Sequence, residues 1–393
     1  MTDVLLCHPV RTPIGKFGGS LKDSPAAELG ACAASATLER ADLAPDGVGA
    51  VVFGHVIQAG SGMNTARQAG LNGGLPESVP AMTVNRVCGS GAEAIAAAAR
   101  LVRLGEADCA VAGGMENMDQ GPYLLNRARW GYRMGPGSVD DATLRDGLND
   151  AFSGKHSGWH TEALVAERQI SREAQDAWAA RSQQRFSAAE AEGRFEDEIT
   201  PVPVKAKSGE QEFRADESHR PDATKEKLSS LKPVFRENGT ITAGNAPGLN
   251  SAAAAMIVAS RKFAEVNDLK PFARLVATGV GAVEPGMFGL GPVPAVQQAL
   301  DRADWGVEDI ERAEINEAFA AIAIALTREI GLSEDIVNVE GGAIAHGHPI
   351  GATGAILTTR LMHSMARDGL KRGLVTLCIG GGQGIALLLE RET

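Results

Sequence analysis

A chain of 393 residues with a net charge of −11 is long enough for two or three domains around a large core, and it lacks the basic face that nucleic-acid phosphates require. Hydrophobic residues at 44% and charged residues at 22% are the proportions of an ordinary globular protein, while 4% aromatics leave little surface for stacking bases. No basic n-region opens the chain, no run nears the ~18–20 apolar residues of a membrane helix, and the closing R-E-T is neither a prenylation nor a peroxisomal signal, so a cytoplasmic protein without a membrane partner is expected.

In chain order, strands are predicted over 50–53 and 81–87, a helix over about 91–104, and a strand over 108–112 that ends in Gly113-Gly114. A more polar middle follows, from about Asp119 to Thr240. It holds a long predicted helix over 172–192, with Ser171 as N-cap and Gly193 at C′. Between Pro201 and Arg236, eight Lys/Arg stand against six Asp/Glu, which reads equally as an anion-binding face or as a solvated mixed-charge surface. Near the end the early layout recurs: a strand over 336–339, a glycine-rich turn, a helix over about 353–367, a strand over 374–379, then Gly380-Gly381-Gly382. Both copies carry a V-N dipeptide (Val84-Asn85 and Val337-Asn338). Such a repeat suggests two similar α/β halves packed together, with the middle as an insertion over the first.

Five cysteines, Cys7, Cys32, Cys88, Cys109 and Cys378, are too few and scattered for a disulfide framework, so a reducing compartment is expected. In N-R-V-C-G-S-G (Asn85 to Gly91), Cys88 leaves a strand and sits at the first turn of an Ala-rich helix. Free amides and the helix dipole there favour a thiolate and lower its pKa. A buried structural cysteine is the alternative. G-G-A-I-A-H-G-H-P-I-G-A-T-G (Gly341 to Gly354) places two histidines in a loop entering a helix. They suit a thiol-activating base better than a metal, since no Cys, Asp or Glu nearby completes a ligand set. In C-I-G-G-G-Q-G (Cys378 to Gly384), glycine amides are able to form an oxyanion nest. Asn316 of N-E-A-F-A reads either as an oxyanion donor or water holder, or as a helix N-cap.

In their joint order these motifs resemble the thiolase family, from R-T-P-I-G near the start to C-I-G-G-G-Q-G near the end, with G-G-M-E-N-M, G-L-N-D-A-F and T-A-G-N between. The resemblance implies a five-layered αβαβα fold from two duplicated halves. Residues 1–118 with about 241–268 would form the first, 269–393 the second, and 119–240 an inserted loop domain. It implies an acyltransferase that condenses acyl-CoA thioesters or cleaves 3-ketoacyl-CoA. Coenzyme A is then a substrate rather than a tightly bound cofactor, no metal is needed, and a homotetramer or homodimer is expected. On the same basis Cys88 is the acylated nucleophile, His348 its base, Cys378 the acid/base at the substrate α-carbon, and Asn316 the holder of an oxyanion-hole water. The N–H groups of Cys88 and Gly380 form a second oxyanion hole, and Leu148, His156, Arg220, Phe235, Ala243, Ala318 and Phe319 contact coenzyme A or the acyl group. Trp159 and Phe288 are expected to border the acyl pocket.

Three departures stand out: Ala246-Pro247-Gly248 after T-A-G-N, L-N-S-A-A-A-A from Leu249, and His346 where an aliphatic residue is usual in the family. Two rivals, a ketoacyl synthase and a non-catalytic acyl-CoA binder, have no use for Cys378, or for the three residues Cys88, His348 and Cys378 together.

Overall fold

The computed structural model describes residues 2–206 and 209–392. Nine strands share one sheet: β1 (Val4–Arg11), β2 (Ala50–Gly54), β3 (Ala81–Val84), β4 (Cys109–Asn117), β5 (Asn250–Ser260), β6 (Pro271–Ala282), β7 (Arg312–Ile315), β8 (Arg372–Ile379) and β9 (Gln383–Arg391). A two-residue strand, Gly15–Lys16, adds to β5. The order is β7-β8-β9-β6-β1-β5-β4-β2-β3. Read outward from the central β1–β6 pair, each half repeats one path: β1-β5-β4-β2 on one side, β6-β9-β8-β7 on the other. Pairs within the outer part are parallel (β2 with β4, β7 with β8) and the inner ones antiparallel.

Alternation along the strands separates three cores. Met256 and Val258 of β5 face a central core, whereas Ile257 and Ala259 face an outer one against α1 (Ala26–Ala41). Leu387 and Leu389 of β9 join the central core, and Ala386 and Leu388 face α5 (Pro292–Ala303) and α6 (Ala320–Ile330). Strands buried on both faces read as continuous apolar runs, which explains why period-2 alternation is faint in the sequence. The central layer consists of α2 (Ser90–Leu104) and α7 (Thr353–Asp368). A Cβ on Gly354 would stand 2.3 Å from the Ala92 nitrogen, and one on Gly91 2.6 Å from the Ala355 nitrogen. Glycine at these two points lets the helix starts meet backbone to backbone, and this brings together the loops that precede them.

Three expected strands change. The first glycine-rich strand runs through Gly113 and Gly114 to Asn117, and those glycines make room for neighbours: a Cβ would lie 2.0 Å from Ala254 O and 2.3 Å from Gly351 O. The strand expected over 81–87 stops at Val84, since Val87 has φ +44°, a conformation that a β-branched residue rarely adopts. The strand expected over 336–339 reduces to one bridge between Ala313 and Val337. There Asn338 has φ +46°, and its amide substitutes for the ladder, accepting from Ile315 N at 2.8 Å and donating to Ile315 O at 2.9 Å.

The insertion includes α3 (Ser157–Glu167) and α4 (Arg172–Ala191). Ser171 caps α4 by accepting from Ala174 N at 3.1 Å, and Gly193 follows it with φ +69°. Buried ion pairs fasten the insertion to both halves: Arg11 of β1 binds Glu198 at 2.7 Å and Asp216 through two bonds of 2.8 and 3.0 Å, and Arg360 of α7 lies 3.7 Å from Glu198. Of the cations between Pro201 and Arg236, Lys227 pairs with Asp222 at 2.6 Å and Arg214 with Glu212. Lys207 lies outside the described residues.

Candidate active site

The cavity of interest, about 690 Å³, sits at the carboxyl ends of the strands, where open α/β sheets place their ligands. Val56 follows β2, Cys88 follows β3, Met118 follows β4, Ala318 follows β7 and Gly380 follows β8, and all of them line it. His348, on the loop entering α7, lines it too.

Cys88 is positioned by a tight turn. Ser90 Oγ accepts from Arg86 N at 2.8 Å and donates to Val87 O at 2.7 Å, and these bonds hold Val87 in its strained conformation. α2 begins at Ser90 with Gly89 as N-cap, so Cys88 stands just before the helix rather than in its first turn. The residue is half-buried. The N–H groups of Gly380 and of Cys88 itself point at the sulfur and favour the thiolate, but burial outweighs them and pushes the thiol up to about 11. This corrects the expectation of a lowered pKa: the resting group is a thiol and needs a base.

His348 lines the same cavity. His348 N donates to Asn250 Oδ1 at 2.9 Å, Nδ1 lies 2.7 Å from Thr353 Oγ1, and Nε2 lies 3.3 Å from Asn316 Nδ2. Burial lowers its pKa to about 4, so the ring is neutral near pH 7. Asn316 is fully buried, and its Oδ1 has no partner. The N-cap reading of Asn316 fails, because α6 begins at Ala320 with Phe319 at its cap. Glu317 holds this loop, accepting from Trp178 Nε1, Ser182 Oγ, Asn338 Nδ2 and Ile344 N at 2.8–3.0 Å. Glu116 does the same for the histidine loop, accepting from Gly351 N at 3.0 Å and from Val56 N at 3.2 Å.

Cys378 lies beneath the cavity wall at the end of β8, fully buried. Burial first, and then the neighbouring Cys88, raise its pKa well above the ordinary value. Cys378 pairs with Gly384 across a hairpin closed by Gly380, Gly381 and Gly382, the last two with φ +83°, a conformation open to glycine.

Leu148, His156, Phe235, Ala318 and Phe319 line the cavity, as do Ala246, Pro247 and Gly248 after T-A-G-N. Phe235 stacks on His156 at 4.6 Å and meets Phe319 edge-on at 6.0 Å. His156 caps α3, accepting from Gly158 N at 3.0 Å. Arg220 and Ala243 are off the cavity and bond each other, Arg220 Nη1 donating to Ala243 O at 3.1 Å. Phe288 lines the cavity, but Trp159 does not: it lies under Arg236 with its ring 4.2 Å from the guanidinium carbon. His346 is fully buried with neither ring nitrogen bonded, and burial holds its pKa well below the usual value.

Sequence reading missed Glu116, Asn250, Glu317 and Thr353. Glu116, Asn250 and Glu317 act through partners remote in the chain, Thr353 through a histidine five residues away, and the only available signal was each one's place inside or beside a quoted motif. A thiol, a neutral imidazole and converging N–H donors around one largely apolar cavity, with an unpartnered amide oxygen on the residue behind the imidazole, are equipment for acyl transfer.

Comparisons with known proteins agree with this equipment. A family model described as thiolase, N-terminal domain, matches residues 4–262, and one described as thiolase, C-terminal domain, matches 269–391. Among curated proteins, an acetyl-CoA acetyltransferase of Cupriavidus necator is 47% identical over 393 residues, covering 100% of each chain. Among solved structures, the Bacillus anthracis acetyl-CoA acetyltransferase superposes with a TM-score of 0.97 at 42% identity, over 100% of this chain and 99% of that one. Human mitochondrial 3-ketoacyl-CoA thiolase gives 0.96 at 39% identity with the same coverage.

Proposed function

The chain belongs to the thiolase family, and from that premise we propose that this coenzyme A-dependent acyltransferase interconverts 3-ketoacyl-CoA plus coenzyme A with two acyl-CoA thioesters through an acyl group on Cys88. The observation that carries the reading is the convergence of Cys88, His348 and Gly380 on one cavity.

In the cleavage direction His348 Nε2 takes the Cys88 proton as the sulfur attacks the 3-keto carbon. Negative charge develops on the ketone oxygen, where the Cys88 and Gly380 N–H groups donate. One such donor is worth ~10²–10³ in rate. The C2–C3 bond then breaks and its electron pair leaves as a thioester enolate. The unpartnered Asn316 Oδ1 is suited to hold a water against that enolate's oxygen. Cys378, kept protonated by burial, gives its proton to C2 and acetyl-CoA departs. Incoming coenzyme A passes its thiol proton to the Cys378 thiolate and attacks the acyl carbon. Cys88 leaves and recovers its proton from His348. Condensation is the reverse.

Leu148, His156, Phe235, Ala318 and Phe319 are assigned to the thioester and its arm. Arg220 and Ala243 are assigned to the distal end of coenzyme A, which outruns a cavity of this size. The proposal includes no tightly bound cofactor, and a cytoplasmic location supported by five unpaired thiols. It retains the division into 1–118 with about 241–268, 119–240 and 269–393, supported by the repeated strand path. Assembly into a homotetramer or homodimer is supported by exposed apolar side chains at Tyr123, Leu125, Trp130, Met134 and Val139, and a monomer mass by light scattering overturns that part. Incubation with acetyl-CoA is expected to add one acetyl mass to the peptide containing Cys88. A label confined to Cys378, or none, sinks the assignment.

A further inference from the structure

The ring of His348 makes two polar contacts, and they agree on where its proton sits. Thr353 Oγ1 lies 2.7 Å from Nδ1 and 2.8 Å from Pro349 O. A hydroxyl has one hydrogen. The carbonyl is only an acceptor, so the hydroxyl donates to Pro349 O and accepts from Nδ1–H. On the opposite side, the Asn316 amide nitrogen faces Nε2 at 3.3 Å, and an N–H there requires a lone pair on Nε2. Both contacts are buried, so water is no substitute for either partner.

We propose that Thr353 is a positioning residue that fixes His348 in its Nδ1–H tautomer and so leaves Nε2 unprotonated, able to exchange its long contact with the Asn316 amide for the proton of Cys88. The inference deepens the assignment of His348 as base and rests on it. Three features of the fold make the device stiff. Pro349 O also receives the N–H groups of Ala352 and Thr353 at 2.9 and 3.0 Å. The threonine opens α7, its rotamer limited by β-branching, and the histidine backbone is held by Asn250. The partner is a hydroxyl and not a carboxylate. It orients the ring without stabilising an imidazolium, which suits a base that returns its proton within the same cycle. In the opposite tautomer Nε2–H would face the Asn316 amide donor and Nδ1 would lose its donor role, leaving Cys88 without a base.

The tautomer is read directly from the Cδ2 carbon shift of His348 in protein labelled with ¹³C-histidine, by solid-state NMR. The resonance is identified among eight histidines by its absence in His348→Asn. Wild type and Thr353→Ser are expected to show the Nδ1–H form, and Thr353→Val, which keeps the shape but not the hydroxyl, the Nε2–H form. Acylation of Cys88 by acetyl-CoA in Thr353→Val is expected to slow by about 10- to 100-fold, below the 10²–10⁴ that a lost general base costs, with KM within about threefold. Thr353→Ser is expected to restore it. A wild-type ring carrying its proton on Nε2 overturns the proposal, whether or not the variants fold. So does a Thr353→Val enzyme that acylates as fast as wild type, or a Thr353→Ser enzyme as slow as Thr353→Val. If no protein acylates Cys88 while the ring carries its proton on Nδ1, the failure belongs to the assigned function and not to the tautomer.

Discussion

The two halves follow the same strand path but differ in what they place at equivalent connections. Before α2 the first half carries Cys88, and before α7 the second carries His348. Between β4 and β5 the first half opens into residues 118–249, whereas between β8 and β9 the second closes with three glycines. A repeated scaffold thus presents the proposed nucleophile and the proposed base on matching loops, a long roof on one side and a short row of N–H donors on the other. The close packing of Gly91 on Ala355 and of Gly354 on Ala92 at the helix starts is what makes these loops meet. Chemistry resides in the connections, and the repeat supplies their placement.

The largest test of that division concerns the two histidines on one loop. His348 touches Asn316 and Thr353, and neither ring nitrogen of His346 has a side-chain hydrogen-bond partner. His348→Asn is expected to slow alkylation of Cys88 by iodoacetamide at pH 7 by about 10³-fold, within the range for a general base, because a thiol with a pKa near 11 has little thiolate of its own. His346→Leu is expected to stay within a few fold and to lose no stability, since it removes two unbonded polar atoms from the core. The pH profile follows from the shifts. A base lowered to about 4 is already neutral at pH 5, so the wild-type rate is flat from about pH 5 to 8. It falls as the pH drops through about 4, where the ring becomes protonated. A step near pH 6.5 contradicts this, and so does the reverse ranking of the histidines.

Cys378 tests the other half. It stands in the hairpin, paired with Gly384 and next to the cavity-lining Gly380, and is assigned to carbon and not to acylation. Cys378→Ser is expected to leave acetylation of Cys88 by acetyl-CoA within a few fold while lowering acetoacetyl-CoA formation by about 10²-fold or more. Equal loss of both steps shows that the thiols act as one unit.

Motif order made the family and the layered fold legible, and it singled out Cys88 and His348, which the structure brings to one cavity, because these residues sit in short glycine-bounded words. Their electrostatics were not legible. The helix-start position of Cys88 suggests a lowered pKa, yet desolvation by packing remote in sequence reverses the sign. Asn338 is equally instructive. Val337-Asn338 reads as strand, but the side chain forms the hydrogen bonds that a strand neighbour would make, an alternative that Asn offers the backbone. Glu317 was hidden for another reason. Its four donors come from α4, the 338 bridge and the histidine loop, and no local pattern encodes such a convergence.

The smallest expected effect concerns acyl length, where the insertion roofs a cavity floored by the second half. Trp159, on the roof, is away from the cavity beneath Arg236, so the limit falls to Phe288, which lines the cavity and is 5% exposed. Each extra methylene that fits gains ~0.8 kcal/mol, about fourfold in binding, while forcing one against a packed ring costs ~1–3 kcal/mol. One ring in the path therefore cancels the gain of several methylenes. Acetoacetyl-CoA is expected to be cleaved with higher kcat/KM than 3-ketooctanoyl-CoA, and Phe288→Ala to narrow that ratio by about four- to tenfold. The ratio is the quantity to compare, since removing a buried ring also costs ~3–5 kcal/mol of stability and lowers both rates alike. Wild-type preference for the eight-carbon substrate overturns the short-chain reading. A Phe288→Ala ratio within twofold of wild type shows instead that the ring supports the core, and that chain length is limited by the other walls, Met118, Leu249 and Ile350.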